Sequence, residues 1–154
     1  MGGGILVVWT GISTNHRTDL HIFNNNVNAA NYLNEVLQNH VQAMFARNQE
    51  LQTFQQDNAR PHTAGICQQF LQTQNFAVLP WPPYSPDLSP IEHIWDVLGQ
   101  RVQTNHDVQN LAQLRNALVQ EWNAIPQATI ASCTRSMRRK IRACLQAGGG
   151  HTRY

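Results

Sequence analysis

Apolar residues along this chain follow two rhythms, one of strands and one of helices. Ile5 to Ser13 is a run of β-branched and aromatic residues containing Gly11, and it predicts a strand. Thr14-Asn15-His16-Arg17-Thr18 is a turn, and Asp19 to Phe23 is a second strand that can pair with the first as a hairpin. After Asn24-Asn25-Asn26 the period changes. Asn28 can cap a helix through about Arg47, with Tyr32, Leu33, Val36, Leu37, Val41 and Phe45 at helical spacing. Leu51 to Gln56 is a short third strand, 57–61 a loop, and a helix opens at His62 or Thr63 and runs to about Thr73. Phe76 to Leu79 is a fourth strand. The stretch from Pro80 to Pro90 holds five prolines in eleven residues. It has too few backbone donors for a central strand and is a stiff loop. Three helices follow: one from Pro90 or Ile91 to about Val102, one from Leu111 to Ile125, and a last one starting near Pro126 and ending at Gly148-Gly149-Gly150. This order of elements is α/β.

Composition narrows the picture. The 154 residues suit one domain, read here as a core over 5–102 with a C-terminal helical part over 108–148. At 42% hydrophobic residues the chain can build a core. No apolar run approaches a membrane span, and Met1-Gly2-Gly3-Gly4 has neither a basic region nor a cleavage pattern. Cys67, Cys133 and Cys144 lack close pairing and read as reduced structural thiols. Net charge is only +2, but it is unevenly placed: residues 1–121 hold five Lys/Arg and all nine acids, and 122–154 hold six Lys/Arg and no acid. That asymmetry points to a polyanion partner for the last helix, or to a solvated face.

Two acids stand out. Asp57 sits where a strand gives way to a loop, the end at which open α/β sheets place ligand-binding groups. Glu92 sits in the first turn of a helix. Carboxylates suit hard cations such as Mg²⁺, and paired ions can serve both oxygens of a phosphodiester displacement. Each acid also has a plain reading: Asp57-Asn58 as a turn pair, and Glu92 as the end of a capping box begun by Ser89. Spacing alone leaves these readings open.

Phe54 to Ala64 (FQQDNARPHTA) resembles the second-aspartate motif of the Tc/mariner DNA transposases, and Ser85 to Trp95 (SPDLSPIEHIW) is similar to the block holding their third acid. Between Asp57 and Glu92 lie 34 residues, the spacing of the Tc branch, whose third acid is glutamate. Val7 to Ser13 resembles the family's second strand, and Trp122 to Pro126 and Gly148 to Tyr154 resemble its carboxyl end.

The resemblance implies a ribonuclease-H-like mixed sheet flanked by helices. It also implies cut-and-paste transposition with Mg²⁺ or Mn²⁺, cutting transposon ends and joining them to target DNA. By motif, Asp57 and Glu92 would be the second and third catalytic acids and metal ligands, while Asp87 would order the proline-rich loop. The family's first aspartate lies on a central first strand upstream of the part matched here. The chain is therefore expected to lack that strand and to be inactive, or nearly so, alone. Asp19 is a weak substitute, because it opens an edge-like strand after a turn. The DNA-binding candidates are Arg60 beside the site and Arg135, Arg138, Arg139, Lys140 and Arg142 on the last helix. That helix should turn Ile130, Cys133, Met137, Ile141, Cys144 and Leu145 to one side. His62 and His93 flank the acids, as ligands or as helix-end or phosphate contacts. Trp81, Tyr84 and Trp95 either stack on bases or anchor packing. A homodimer fits the family, and the substrate implies the nucleus. The competing reading is a non-catalytic remnant of a decayed element that binds nucleic acid or forms dimers.

Overall fold

The strand-rich start folds into an antiparallel pair, but its ladder is much shorter than the apolar run. The computed structural model describes residues 5–83 and 85–148. In it β1 is Val8–Trp9 and β2 is His21–Ile22, with Val8 opposite Ile22 and Trp9 opposite His21. The Phe23 amide bonds to the Val7 carbonyl at 3.0 Å and carries the pairing one step further. Beyond that, side chains take over. Thr10 and Thr18 are buried with hydroxyls 3.0 Å apart, and the Gly11 amide donates to Thr18 Oγ1 at 2.9 Å. A buried hydroxyl needs a partner, and each threonine supplies the other's.

Asn28 caps the next helix as expected, its side chain accepting from the Asn31 amide at 2.9 Å. The helical stretch runs through α1 (Ala29–Asn31), a π-helical segment (Tyr32–Val41) and α2 (Gln42–Arg47). The middle differs from the expected α-helix: the Gln42 amide bonds to the carbonyl of Leu37, five residues back. Its buried positions Tyr32, Val36, Leu37 and Val41 accordingly fall at separations of four and five along one side. They form a core with Phe23, Cys67 and Leu71, and Trp9, Phe45, Phe54, Phe70 and Phe76 pack against it.

β3 (Thr53–Phe54) and β4 (Ala77–Val78) pair in parallel, Thr53 with Ala77 and Phe54 with Val78. A parallel pair needs a crossover, and α3 (Arg60–Thr63) and α4 (Gly65–Thr73) supply it. The sequence predicts one helix opening at His62 or Thr63. The structure starts earlier, at Arg60, with Pro61 in the first turn where its missing N–H costs nothing. It then breaks at Ala64, whose extended backbone (ψ 142°) leads into α4. At the far end of α4, Asn75 takes a left-handed conformation (φ 58°). The Phe76 amide reaches the Leu71 carbonyl at 3.1 Å and the Asn75 amide that of Gln72 at 3.0 Å, a Schellman closure that turns the chain into β4. The described residues thus hold two two-stranded sheets, one antiparallel and one parallel.

The described residues form two compact units, one of residues through Gly11 with 17–83, the other of Ile12–His16 with 85–148. In the second unit the proline-rich segment contains a 3₁₀ turn (Pro86–Leu88) leading into α5 (Pro90–Asn105), which packs against α6 (Leu111–Ala124) and α7 (Gln127–Gln146). Ile94, Leu98, Val102, Ala117, Trp122, Ile125, Ile130 and Ala131 are its buried apolar residues, with Cys133 at the margin. α5 continues one turn past the expected Val102. Pro126 precedes α7 as its N-cap residue, and Gly148 (φ 59°) follows the helix in the left-handed conformation that glycine adopts freely. Glu121 is 4% exposed and gathers three donors: Arg101 Nε at 2.7 Å, Asn105 Nδ2 at 3.0 Å and His106 Nε2 at 2.9 Å, the last with the ring in the donating state. These bonds, those of Asn105 and His106 first, hold the Glu121 carboxyl below its ordinary value against the opposing effect of burial.

Two outcomes follow for stability. Asn75→Ala should cost about 1 kcal/mol in urea unfolding, the penalty for a Cβ in a left-handed position without asparagine's local hydrogen bonding, and Asn75→Gly should match the parent. For Glu121, a depressed folded-state value means stability that is present above the ordinary value of 4.5 and lost as pH falls through the lower folded one. Melting temperature should therefore fall on acidification below about 4.5 in the parent, and more shallowly in Glu121→Gln, which begins lower at neutral pH.

Candidate active site

Asp57 follows β3 at its carboxyl end. Its side chain is 63% exposed and opens on a cavity of about 420 Å³ that Leu71, Phe76, Val78, Leu79, Pro80 and Trp81 line on the apolar side. Gln56, Asn58, His62, Thr63, Gln68 and Gln72 supply its polar lining. Asp57 Oδ1 accepts the Ala59 amide at 3.0 Å, so the turn reading of Asp57-Asn58 is realised. It does not exhaust the residue, because His62 Nδ1 lies 2.5 Å from the same oxygen. Asn58 Nδ2 donates to the Trp81 carbonyl at 2.9 Å and ties the loop to the start of the proline segment.

Behind Asp57 stands Tyr32, 1% exposed. Its hydroxyl donates to Gln56 Oε1 at 2.7 Å, and its ring lies 4.2 Å from that of His62. Burial first, then the Cys67 and Asp57 charges, pushes the phenol far above its ordinary range, so it stays a donor. Gln56 Nε2 reaches the His62 carbonyl at 3.4 Å. From the sequence, His62 is expected to be a metal ligand or a helix-end or phosphate contact. Its place against Asp57 was signalled by nothing but the short separation of the two residues across a turn.

Glu92 belongs to the second unit, in the first turn of α5, and is exposed. The Glu92 amide bonds to the Ser89 carbonyl at 3.3 Å, but the Ser89 side chain makes no capping bond, so that half of the capping-box reading fails. Among the described residues no group of three or more His, Cys, Asp or Glu side chains is placed to hold a metal ion.

Against known families, residues 6–115 match the DDE superfamily endonuclease model. The chain belongs to this family. Within the DDE endonucleases it is of the Tc/mariner transposase type. It is 26% identical to the Tc3 transposase of Caenorhabditis elegans over 154 residues, 99% of this chain and 47% of that protein. It is 38% identical to the Tc1 transposase of the same organism over 104 residues, 66% of this chain and 37% of that protein. The chain thus spans less than half the length of these two relatives. The solved catalytic domain of Mos1 mariner transposase superposes with a TM-score of 0.79 at 23% identity, covering 96% of this chain and 74% of that one. The fold of this DDE domain is therefore ribonuclease-H-like. Other Mos1 structures hold Mg or Mn with raltegravir, or are paired-end complexes, one with Mn and one with the left transposon end.

The remaining candidates of the DDE chain sort by surroundings. Arg60 is exposed at the start of α3. Trp81 is half-buried in the cavity wall, and Trp95 packs on the buried Trp122 with rings 6.5 Å apart, which favours its reading as an anchor. Tyr84 lies outside the described residues, as does 149–154. Asp19 and His93 are exposed, and Asp87 sits in the 3₁₀ turn. On α7 the apolar face is only half covered. Ile130 and Cys133 are buried as expected, but Ile141 is 46% and Leu145 74% exposed. Arg135, Arg138, Arg139 and Arg142 are exposed there, and Lys140 is half-buried. The cysteines are free, Cys67 and Cys133 buried, and no helix among the described residues is long and apolar enough to cross a membrane.

Tyr32→Phe keeps the ring and removes the bond to Gln56. It should destabilise the first unit by about 1 kcal/mol, the usual net worth of such a bond, read by chemical denaturation.

Proposed function

We propose that this chain is the catalytic-domain portion of a cut-and-paste DNA transposase, with Asp57 and Glu92 as two of the carboxylates that hold divalent ions. The observation that carries the reading is the exposed Asp57 carboxylate at the end of β3, opening on a cavity within the stretch that matches the DDE family. The donor chemistry fits a hard cation. Both contacts of Asp57 fall on Oδ1, so the carboxylate is steadied while it faces the cavity. Glu92 offers a second oxygen donor from an exposed helical turn, and hard ions prefer oxygen. Bound Mg²⁺ or Mn²⁺ would supply Lewis-acid activation of water or a 3′-hydroxyl and stabilisation of the leaving oxygen. The Mos1 structures solved with Mg, with Mn and as paired-end complexes support both the metal class and a DNA partner. DNA as substrate makes the nucleus the site of action in a eukaryotic host.

The basic face of α7 favours a second role, nucleic-acid binding or dimer formation without catalysis, as in the remnant of a decayed element. Arg135, Arg138, Arg139 and Arg142 stand exposed on the helix whose outer half leaves Ile141 and Leu145 uncovered.

One set of measurements tests both roles. Mn²⁺ titration followed by electron paramagnetic resonance should show binding that Asp57→Ala and Glu92→Ala each weaken by more than tenfold, the loss that removing even an outer partner can bring. Cleavage of element-end DNA by these 154 residues alone should stay near background, and clear Mn²⁺-dependent cutting abolished by Asp57→Ala would overturn that expectation. Binding to duplex DNA should weaken steeply with salt, and Arg138→Ala or Arg142→Ala should each reduce the log–log slope by about 1. Unchanged slopes would remove α7 from the DNA interface.

A further inference from the structure

The contact between His62 and Asp57 is not explained by stability. Asp57 is 63% exposed, and an ion pair at so exposed a carboxylate contributes little. Meanwhile His62 Nδ1 is buried, and among the described residues no hydrogen bond reaches it. The Asp57 oxygen 2.5 Å away is close enough to pair but stands out of line for a hydrogen bond. Burying a ring nitrogen without an aligned partner costs stability. A fold that keeps such an arrangement is holding the nitrogen against that carboxylate at some expense.

What holds it is equally specific. The His62 ring lies 4.2 Å from that of the buried Tyr32, and His62 itself is in the four-residue helix α3 that follows Asp57. Gln56, the residue before Asp57, accepts from Tyr32 at 2.7 Å and donates to the His62 carbonyl at 3.4 Å. Tyr32, Gln56 and His62 thus form a brace, buried at Tyr32 and half-buried at the other two, and Asp57 Oδ1 meets both His62 and the Ala59 amide.

We propose that His62 is a positioning residue for Asp57: its Nδ1, fixed by the Tyr32 stack and the Gln56 tie, sets the rotamer of the carboxylate that faces the cavity. An exposed aspartate otherwise exchanges among rotamers, and a ligand that must be ordered on binding binds more weakly. This deepens the proposed metal-binding role of Asp57 and rests on that reading for its functional consequence. The positioning itself is a property of the metal-free chain.

Three variants of the full chain separate ring, nitrogen and fold. His62→Phe keeps a ring to stack on Tyr32 and removes the nitrogen. His62→Asn loses the ring but keeps a donor where Nδ1 was, and His62→Gln places its donor too far out. The probes are Mn²⁺ alone, followed by electron paramagnetic resonance, and the Ala59 amide proton in the metal-free protein, followed by NMR. Thermal melting checks that each variant folds. His62→Phe and His62→Gln should weaken Mn²⁺ binding about tenfold and move the Ala59 amide resonance as Asp57→Ala does, while His62→Asn, which keeps the donor but not the Tyr32 stack, should lose clearly less than either. The proposal is overturned if folded His62→Phe leaves both the Mn²⁺ affinity and the Ala59 amide unchanged, or if His62→Asn is as impaired as His62→Phe. Should Asp57→Ala bind Mn²⁺ like the parent, the metal reading fails. The amide resonance then decides the positioning alone, and an unmoved signal in His62→Phe overturns it.

Discussion

A buried phenol organises the first unit. Tyr32 has its ring among Val36, Leu37, Cys67 and Leu71, yet its hydroxyl cannot be left without a partner there. The partner is Gln56, just past β3, and burial keeps the phenol protonated so that it donates. One side chain thereby sets where the chain leaving β3 must pass relative to the helical stretch. Asp57 is next in sequence, so its position follows from a hydrogen bond made at the edge of the core. The same ring receives His62 on its face, and His62 in turn abuts Asp57. The exposed carboxylate is thus placed through one buried ring and two half-buried side chains.

The second unit uses a similar device. Glu121 sits on α6 among apolar neighbours and is satisfied by Arg101, Asn105 and His106 from the end of α5 and the residue after it. A buried carboxylate with one donor missing would be costly, and with all three it locks the two helices in one register. Trp122 beside it fills the core and meets Trp95 of α5. On α7 the division of labour runs along the axis: the first turns are buried, and the later ones carry arginines and uncovered Ile141 and Leu145. The charge asymmetry of the sequence therefore maps onto the half of the helix that packing leaves free.

Much of the fold was legible because local rules decide it. Asn28 caps a helix through its side-chain oxygen, and Pro90 and Gly148 sit at the helix boundaries that their backbone preferences dictate. The hairpin is legible in two strand-forming runs around a turn, and the helices in their apolar spacing. The strands came out shorter than the apolar runs because a ladder needs a partner at every step, and apolar character alone does not supply one. The widened turns of Tyr32–Val41 had no signature, since the same residues satisfy an α-helical face almost as well. On α6, helical spacing predicts a buried stripe of Leu111, Leu114, Leu118, Trp122 and Ile125, and Trp122 and Ile125 are buried. Ala117 and Glu121 are buried and Leu111 is 40% exposed, because an ionised residue with three donors can occupy a core position that hydropathy would deny it.

By itself, the sequence determined the order of the main strands and helices, the family, and the two acids worth attention, Asp57 and Glu92. Those follow from periodicity, caps and motif spacing, all of which are properties of residues close together in the chain or of long matched strings. Only the tertiary structure decided that Asp57 leans on His62 and that His62 leans on Tyr32. It alone decided that Glu121 goes inside and that the outer half of α7 stays uncovered. Each of these depends on which polar atoms lose their water when distant segments pack, and the neighbours that then replace that water are chosen by the fold.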